Sequence, residues 1–247
     1  MNGKKLCKTG IKELDRLLGG GIPIKTGVLV AGGPGTGKTI MCHEFLFRGV
    51  EKFNENGVYL DLTAVKEKLI ENIETFRFYK KEYLDSGKIR ILDIQSTEKL
   101  KKSFFTGPGE RTKMLGHSFA SMIMDIVKES NAKRLVIDSL TAIYEKFDNQ
   151  TDMRAFVFEL LSSLSHMECT TLFISEILPY QHRYSISGIE EFMVDGIIYL
   201  SDYESKNNLE RTLQIIKMRG AKHSRVKNAM LITEDGIVLT PIQSKQN

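Results

Sequence analysis

The segment Gly32–Thr39 has the residue types and the spacing of a phosphate-binding loop. It reads Gly-Gly-Pro-Gly-Thr-Gly-Lys-Thr, a complete P-loop or Walker A pattern. The glycines let backbone N–H groups turn toward nucleotide phosphates, Lys38 can reach the β- and γ-phosphates, and the Thr39 hydroxyl can ligate Mg²⁺. The predicted nucleotide-binding residues are Gly33, Pro34, Gly35, Thr36, Gly37, Lys38 and Thr39. The alternative is a glycine-rich turn without a ligand.

The elements around this loop favour the phosphate-binding interpretation. An apolar strand, Val28–Ala31, precedes it, and a helix-compatible run, Ile40–Val50, follows it. The start of that helix adds a partial positive charge at the same point. A second apolar run, Leu135–Ile137, ends in Asp138, which is placed to hold Mg²⁺ directly or through water. The alternative for Asp138 is a helix cap. Together these features predict that the chain binds a nucleoside triphosphate.

Composition and charge exclude several other classes of protein. The chain has 247 residues, of which 41% are hydrophobic and 27% charged, as in ordinary globular proteins. A net charge of +4 is too small to indicate a dedicated nucleic-acid binder. No apolar stretch is long enough for a membrane span and the N-terminus is polar, so we expect no membrane insertion and a cytoplasmic location. The widely separated Cys7, Cys42 and Cys169 predict free thiols rather than a disulfide or zinc framework.

The order of apolar runs and helical patterns predicts an α/β fold in one domain, residues 1–247. Strands alternating with helices indicate a mostly parallel sheet that helices cover on both faces. From Gly196 onward the strand-like runs follow one another without helices, which predicts a C-terminal antiparallel extension. We expect a helix over Ile11–Leu18, capped by Thr9, and a mobile loop over Lys99–Lys113. The predicted C-terminal strands are Gly196–Leu200, Thr212–Met218, Ala229–Ile232 and Ile237–Leu239.

Several blocks beside the P-loop carry a family resemblance. They are Thr9–Asp15, Leu18–Pro23, Val136–Thr141, Gly188–Gly196 and Lys217–His223. In this order they resemble the KaiC-type branch of the RecA/RadA ATPases, from Thr9 to about Thr240. The match is to a single-domain member of that branch rather than to the two-domain clock protein.

The resemblance implies a RecA-like core that assembles into a ring, expected to be a hexamer, with ATP or ADP and Mg²⁺ at each subunit interface. In that family a Lys and an Arg of a K-M-R-G motif reach the neighbour's nucleotide in trans, and here they are Lys217 and Arg219. Because these two residues alternate with Met218 on a strand, both side chains can point the same way. The alternative is a solvated face of an edge strand.

The chain departs from the family where that family places two adjacent glutamates, one of which polarises the attacking water. Thr63 and Ala64 occupy these positions, and neither can act as a carboxylate base. General-base assistance is typically worth about 10² to 10⁴ in rate, so we expect hydrolysis to be slow or absent. Asp61, on the same strand face, is the nearby candidate to replace the base, and its alternative role is a polar residue at a strand end.

Three further segments carry weaker hypotheses. Glu191 and Phe192 stand where the clock protein's kinase half has phosphoacceptor hydroxyls, so we predict no autokinase activity. The segment Pro179–Tyr184 interleaves aromatic and basic residues and could contact single-stranded DNA, or could be an exposed polar loop. The pair Ser175-Glu176 ends the strand Thr171–Ile174 near the expected γ-phosphate, as a sensor or for solvation alone.

The sequence therefore leaves three functions open. The leading hypothesis is an ATP-binding ring protein in which a slowly turned-over nucleotide stabilises the subunit interface. The second is an active ATPase whose base is Asp61 or a neighbouring subunit's carboxylate. The third is a single-stranded-DNA-binding module like the RadA paralogues.

Overall fold

The computed structural model describes residues 5–94, 111–144, 147, 149–177, 183–186, 188–205 and 208–242. Within this part of the chain, a small two-stranded sheet precedes a nine-stranded main sheet. The small sheet pairs β1 (Leu6–Cys7) with β2 (Ile22–Pro23). The main-sheet strands are β3 (Gly27–Gly32), β4 (Gly57–Asp61), β5 (Ile89–Asp93), β6 (Arg134–Asp138), β7 (Thr170–Glu176), β8 (Gly196–Ser205), β9 (Asn208–Met218), β10 (Asn228–Thr233) and β11 (Gly236–Pro241).

Helices connect most of the parallel strands. Those in the described residues are α1 (Lys12–Leu17), α2 (Lys38–Phe53), α3 (Lys66–Ile73), α4 (Lys81–Asp85), α5 (Arg111–Glu129), α6 (Leu140–Tyr144), α7 (Gln150–Ser165) and α8 (Glu190–Met193). The helix after the P-loop, α2, is amphipathic and ends at Asn54, which adopts a left-handed conformation. Helix α7 begins at Asn149, whose side chain accepts the N–H of Asp152 as an N-cap.

The main sheet has the strand order β11-β10-β9-β8-β3-β7-β6-β4-β5. The strands from β8 to β5 are parallel to one another, and β9, β10 and β11 continue the sheet as antiparallel neighbours. The carboxyl ends of β3, β4, β6 and β7 therefore lie at one edge of the sheet. In open α/β sheets this edge is where ligands bind.

The sheet separates two hydrophobic cores. Along β3, Val28 and Val30 belong to one core, whereas Leu29 and Ala31 belong to the other. The first core includes residues of α1, α2, α3 and the C-terminal strands, and the second includes residues of α5, α6 and α7. A strand with both faces covered reads as a continuous apolar run, which is why these strands are recognisable in the sequence.

Buried Arg134 ties the first residue of β6 to the P-loop helix. Its guanidinium is fully buried and donates to the backbone oxygens of Phe45 (2.8 Å) and Lys8 (2.7 Å). It also pairs with the carboxylate of Glu55 at 2.6 Å and lies over the ring of Phe45. Because the guanidinium donates to these three acceptors, one of them a carboxylate, the buried charge is compensated. This keeps β6, and hence Asp138 at its end, against α2.

The pairing of one strand and the start of one helix differ from what the sequence predicts. Strand β8, expected to begin the antiparallel extension, pairs parallel with β3, so the antiparallel part begins only at β9. Helix α5 begins at Arg111 rather than Ser118, so Arg111–Lys113 are helical and not part of a loop. The rest of the expected loop, residues 99–110, lies outside the described residues. The expected cap of the first helix is wrong: α1 begins at Lys12 after Ile11 as N-cap, without a side-chain capping bond. Thr9 Oγ1 instead accepts the N–H of Ile11 at 3.2 Å and donates to Oδ1 of Asp15 at 2.8 Å.

Candidate functional site

The P-loop joins the end of β3 to the first turn of α2. Its glycines Gly35 and Gly37 have φ angles of 76° and 96°, in the left-handed region that L side chains rarely adopt. A Cβ on Gly37 would also lie 2.9 Å from Cδ1 of Ile232 on β10. The backbone conformation therefore requires glycine at position 37, and a side chain there would also displace the end of Ile232.

The side chain of Lys38 folds back over this loop. Its Nζ donates to the backbone oxygens of Gly32 at 2.9 Å and Gly33 at 2.8 Å. Burial lowers the pKa of Lys38, while the carboxylates of Glu176 and Asp138 oppose that change. A phosphate would offer this ammonium group an anionic acceptor in place of the neutral carbonyl oxygens, so that donor and acceptor would both be charged.

Thr39 and Asp138 come together beside Lys38, as the sequence predicts. The Thr39 hydroxyl donates to Oδ2 of Asp138 at 3.4 Å, and the hydroxyl of Tyr59 donates to the same oxygen at 2.6 Å. Burial raises the pKa of Asp138 to about 6, against the opposing effect of the Tyr59 hydrogen bond. A hydroxyl and a carboxylate next to a phosphate site are the oxygen donors that Mg²⁺ prefers. This pair of donors therefore fits a magnesium ion.

Asp61 holds the turn that follows β4. Its Oδ1 accepts the N–H of Thr63 at 2.7 Å, the Thr63 hydroxyl at 3.0 Å and the N–H of Ala64 at 2.6 Å. The residue is 1% exposed, and burial raises the pKa of its carboxyl. Carboxylates that accept from the backbone two or three residues on stabilise such turns. Oδ1 of Asp61 is thus fully engaged, although Asp61 and Asp138 are register partners on neighbouring strands.

Lys217 and Arg219 lie next to each other at the C-terminal end of β9. Lys217 Nζ donates to the backbone oxygen of Glu191 at 2.9 Å, and Arg219 Nη2 donates to that of Phe192 at 3.1 Å. Burial lowers the pKa of Lys217, and the positive charge of Arg219 lowers it further. The two side chains therefore both lie against α8, as their alternation on the strand predicts.

The sheet register places this pair far from the P-loop of the same chain. Met218, between them, is level with Gly196 of β8, which is level with Val28 at the start of β3. The P-loop follows Gly32 at the other end of β3. The distance from Val28 to Gly32 along the strand is about 13 Å at the usual rise per residue. Lys217 and Arg219 thus lie at the opposite edge of the sheet from Lys38.

The pair Ser175-Glu176 lies next to the P-loop. Glu176 is the register partner of Gly32, and among the charged groups its carboxylate has the largest opposing effect on the pKa of Lys38. Its backbone N–H donates to the hydroxyl of Thr141 at 3.2 Å. Ser175 is fully buried. This position agrees with the one expected for a γ-phosphate sensor, and the sensor role itself stays a prediction.

Only part of the proposed nucleic-acid loop is described. Residues 178–182, which include Pro179 and Tyr180, lie outside the described residues. Arg183 is exposed, but Tyr184 is partly buried, with its ring edge-on to Tyr199 at 5.3 Å between centroids. Its backbone N–H donates to the carboxylate of Glu191 at 3.0 Å. Tyr184 packed in this way is not a free platform for base stacking.

Two residues near the P-loop were not predicted as site residues. Tyr59 contacts Asp138. The sequence feature that could have indicated this contact is a tyrosine inside an otherwise apolar buried strand, because a buried hydroxyl needs a hydrogen-bond partner. Arg211 on β9 donates from Nε to the backbone oxygen of Gly35 at 2.9 Å. No local pattern marks Arg211, because β9 reaches the P-loop only through the order of the strands in the sheet.

Comparison with known proteins now identifies the family. The sequence model described as "ATPase: KaiC" matches residues 7–244, which is almost the whole chain. The chain belongs to the KaiC ATPase family. The predicted resemblance and the predicted fold class, a RecA-like α/β sheet with a C-terminal antiparallel extension, are both confirmed by this match and by the similar structure below.

Individual relatives agree with this assignment. The chain is 34% identical to a UPF0273 protein of Methanocaldococcus jannaschii over 96% of this chain and 97% of that protein. It is 29% identical to the circadian clock oscillator protein KaiC of Synechococcus elongatus, but spans only 44% of that longer protein. The crystal structure of a KaiC-like protein from Pyrococcus horikoshii superposes with a TM-score of 0.82 at 33% identity, covering 96% of this chain and 100% of the other.

Among the helices of the described residues, none is both long and apolar enough to cross a bilayer.

Proposed function

We propose that this KaiC-family chain binds ATP with Mg²⁺ at the interfaces of a homo-oligomeric ring, and that it hydrolyses ATP slowly or not at all. One observation carries the proposal. The phosphate- and magnesium-binding groups Lys38, Thr39 and Asp138 are assembled at one edge of the sheet, whereas the turn after β4 presents Thr63 and Ala64, neither of which has a carboxylate.

Nucleotide binding rests on the P-loop. Lys38 is already held over the loop by two carbonyl oxygens, and the first turn of α2 directs backbone N–H groups toward the same point. Thr39 and Asp138 would hold Mg²⁺, directly or through water. When bound, Mg²⁺ would neutralise part of the negative charge of the phosphates. ATP rather than another nucleotide is proposed from the family.

Slow hydrolysis rests on the turn after β4. A general base must be within hydrogen-bond reach of the water from which it takes a proton. Oδ1 of Asp61 instead accepts three hydrogen bonds from Thr63 and Ala64, which hold this carboxyl group against the turn and leave Oδ2 as its one oxygen without a hydrogen bond in the described residues. The active-ATPase alternative then needs either Oδ2 of Asp61 or a carboxylate supplied by a neighbouring subunit.

Ring assembly is supported by the separation of Lys38 from Lys217 and Arg219. Because the two groups lie at opposite edges of the sheet, Lys217 and Arg219 cannot reach the chain's own phosphates. Their two cationic groups lie side by side on α8, where they could meet the phosphates of a neighbouring copy. A bound nucleotide would then join two subunits and stabilise their contact by mass action, acting as a structural switch.

The test measures binding and turnover on the same purified oligomer. Binding of ATP with Mg²⁺ is measured first by equilibrium titration, with Lys38→Ala as the variant that should lose most of the affinity. Steady-state phosphate release is then measured at saturating Mg-ATP. We expect wild-type release no faster than that of Lys38→Ala. Turnover well above this control would favour the active-ATPase alternative, and absence of binding would refute the proposal as a whole.

A further inference from the structure

Tyr59 contacts the centre of the proposed magnesium site without being a ligand itself. The residue is fully buried in β4, and its hydroxyl donates to Oδ2 of Asp138 at 2.6 Å. Thr39 approaches the same oxygen at 3.4 Å. Within the described residues, Oδ1 of Asp138 accepts no hydrogen bond. The Tyr59 bond therefore fixes the plane of the carboxylate while one oxygen stays available.

A second buried residue fixes the ring of Tyr59. The imidazole of His43 stacks on it, with ring centroids 4.0 Å apart and an angle of 2° between the planes. His43 is fully buried on α2, four residues after Thr39 and thus one helical turn away on the same side. The P-loop helix therefore reaches Asp138 by two routes, directly through Thr39 and indirectly through His43 and Tyr59.

A purely structural explanation accounts for only part of this arrangement. A buried tyrosine hydroxyl needs a partner, and any acceptor would satisfy it. Here the acceptor is the carboxylate that, under the proposed function, takes part in holding the cation. Partners that orient metal ligands in this way are known to affect metal affinity by about 10- to 100-fold.

We infer that Tyr59 is a positioning residue of the magnesium site, which orients the Asp138 carboxylate toward the nucleotide-bound cation, with His43 holding the tyrosine ring in place. The inference rests on the proposed function, since it concerns the same site. It assigns a role to two residues of the strand and helix next to the P-loop. The effect of Tyr59 should appear in magnesium-dependent nucleotide binding and not in nucleotide binding as such.

The experiment compares Tyr59→Phe with the wild-type oligomer, because this change removes the hydroxyl and keeps the ring that stacks on His43. The affinity for the fluorescent nucleotide mant-ADP is measured at equilibrium with excess Mg²⁺ and again with EDTA. We expect the gain in affinity produced by Mg²⁺ to fall about tenfold or more in Tyr59→Phe. The affinity measured in EDTA should stay within twofold of wild type.

Matched variants separate positioning from general damage to the fold. Tyr144→Phe removes a hydroxyl from another buried tyrosine, whose pKa is raised by burial and by Glu190, and it should keep the wild-type gain from Mg²⁺. In an Asp138→Asn background, Tyr59→Phe should produce no further loss, because the two residues act through one carboxylate. His43→Phe, which keeps a stacked ring, should retain more of the gain than His43→Ala.

The outcomes distinguish this inference from the proposed function. If the wild-type protein binds no mant-ADP under either condition, the proposed function fails and the positioning role fails with it. If the wild type binds and Tyr59→Phe shows the full gain from Mg²⁺, only the positioning role is wrong. An equal loss with Mg²⁺ and with EDTA would also overturn it, because a merely structural tyrosine would weaken both.

Discussion

At the scale of single residues, the turn after β4 decides what the P-loop can be used for. Thr63 and Ala64 have no acidic group, and Asp61 accepts three hydrogen bonds from them through Oδ1. Everything else that handles phosphate is assembled within a few ångströms at the same edge of the sheet. Under the proposed function, this site binds a nucleotide without hydrolysing it at an appreciable rate, and introducing carboxylates at the turn tests this.

Restoring two carboxylates should increase hydrolysis. The variant Thr63→Glu with Ala64→Glu places acidic groups where the family has its glutamates, and we expect phosphate release to rise by about 10² or more, in line with general-base assistance. The measurement is steady-state phosphate release at saturating Mg-ATP. The pair Thr63→Gln with Ala64→Gln has the same shape without the charge and should stay at the wild-type rate. A double glutamate variant that binds nucleotide but releases no more phosphate would contradict the prediction.

At the scale of elements, the β10–β11 hairpin is fastened to the P-loop helix. The carboxylate of Glu44 on α2 accepts the N–H of Ile237 on β11 at 2.8 Å and lies 3.5 Å from the guanidinium of Arg48. A Cβ on Gly236 would collide with this carboxylate. On the other strand of the hairpin, Ile232 lies against Gly37 of the P-loop. A change in this hairpin is therefore a change in the surroundings of the phosphate site.

The buried carboxyl of Glu44 should make the hairpin anchor sensitive to pH. Burial raises the pKa of Glu44 above its ordinary value of 4.5, so the folded protein favours the protonated form more than the unfolded chain does. The contribution that the protonated Glu44 makes to the free energy of unfolding is fully present below pH 4.5. It is lost as pH rises through the raised pKa. Glu44→Gln keeps an acceptor for Ile237 but cannot ionise.

The check is urea unfolding of wild type and Glu44→Gln at a series of pH values. The free energy of unfolding of wild type, compared with that of Glu44→Gln at the same pH, should fall as pH rises above about 4.3, the ordinary pKa of a free glutamate. It should level off once Glu44 is ionised in the folded state. A difference that stays constant over the whole pH series would show that Glu44 titrates equally in both states.

Most elements of this fold could be predicted because their signals are local. A strand covered on both faces is an apolar run, and an amphipathic helix has a regular period, so β3, β6, β7 and α2 were all expected. The parallel pairing of β8 with β3 was not, because a parallel crossover normally carries a long helix, whereas the described residues between β7 and β8 contain only the four-residue α8.

The same distinction explains the site. Lys38, Thr39 and Asp138 could be predicted because a contiguous motif and a strand end mark them. Tyr59 had only the signal of a hydroxyl in an apolar strand and Arg211 had none, because they meet Asp138 and the P-loop only through strand order and register. Those properties depend on contacts between residues far apart in the chain.

At the scale of the whole molecule, the phosphate-binding groups and the cationic pair occupy opposite edges of one rigid sheet. Lys217 and Arg219 are held by carbonyl oxygens of α8 in the isolated chain. Both could change partners without moving the strand, since backbone carbonyls are weaker acceptors than phosphates. Under the proposed function, this pair acts on a nucleotide that another copy of the chain holds.

Removing one of these cations should weaken association and not the fold. In Arg219→Ala, we expect the assembly promoted by Mg-ATP to fall toward that of Lys38→Ala, because the nucleotide then lacks a charged group from its neighbour. Sedimentation velocity with and without Mg-ATP measures the effect. The control is Arg90→Ala. Arg90 lies on β5, the last strand of the sheet at the end opposite β11, and it donates to the hydroxyl of Ser130. This variant should assemble as wild type. Unchanged assembly of Arg219→Ala would refute a role for this residue between subunits.

The subunit has the P-loop at one edge of the sheet and the cationic pair at the other, and this determines how many complete sites an assembly contains. If each complete site needs the P-loop of one copy and the cations of the next, the contact is heterologous, and it either closes into a ring or continues as a filament. An open row always has one fewer complete site than it has subunits, with an unpaired P-loop at one terminus. Closure supplies the missing site. The bound-nucleotide stoichiometry would therefore report directly whether the circle is complete.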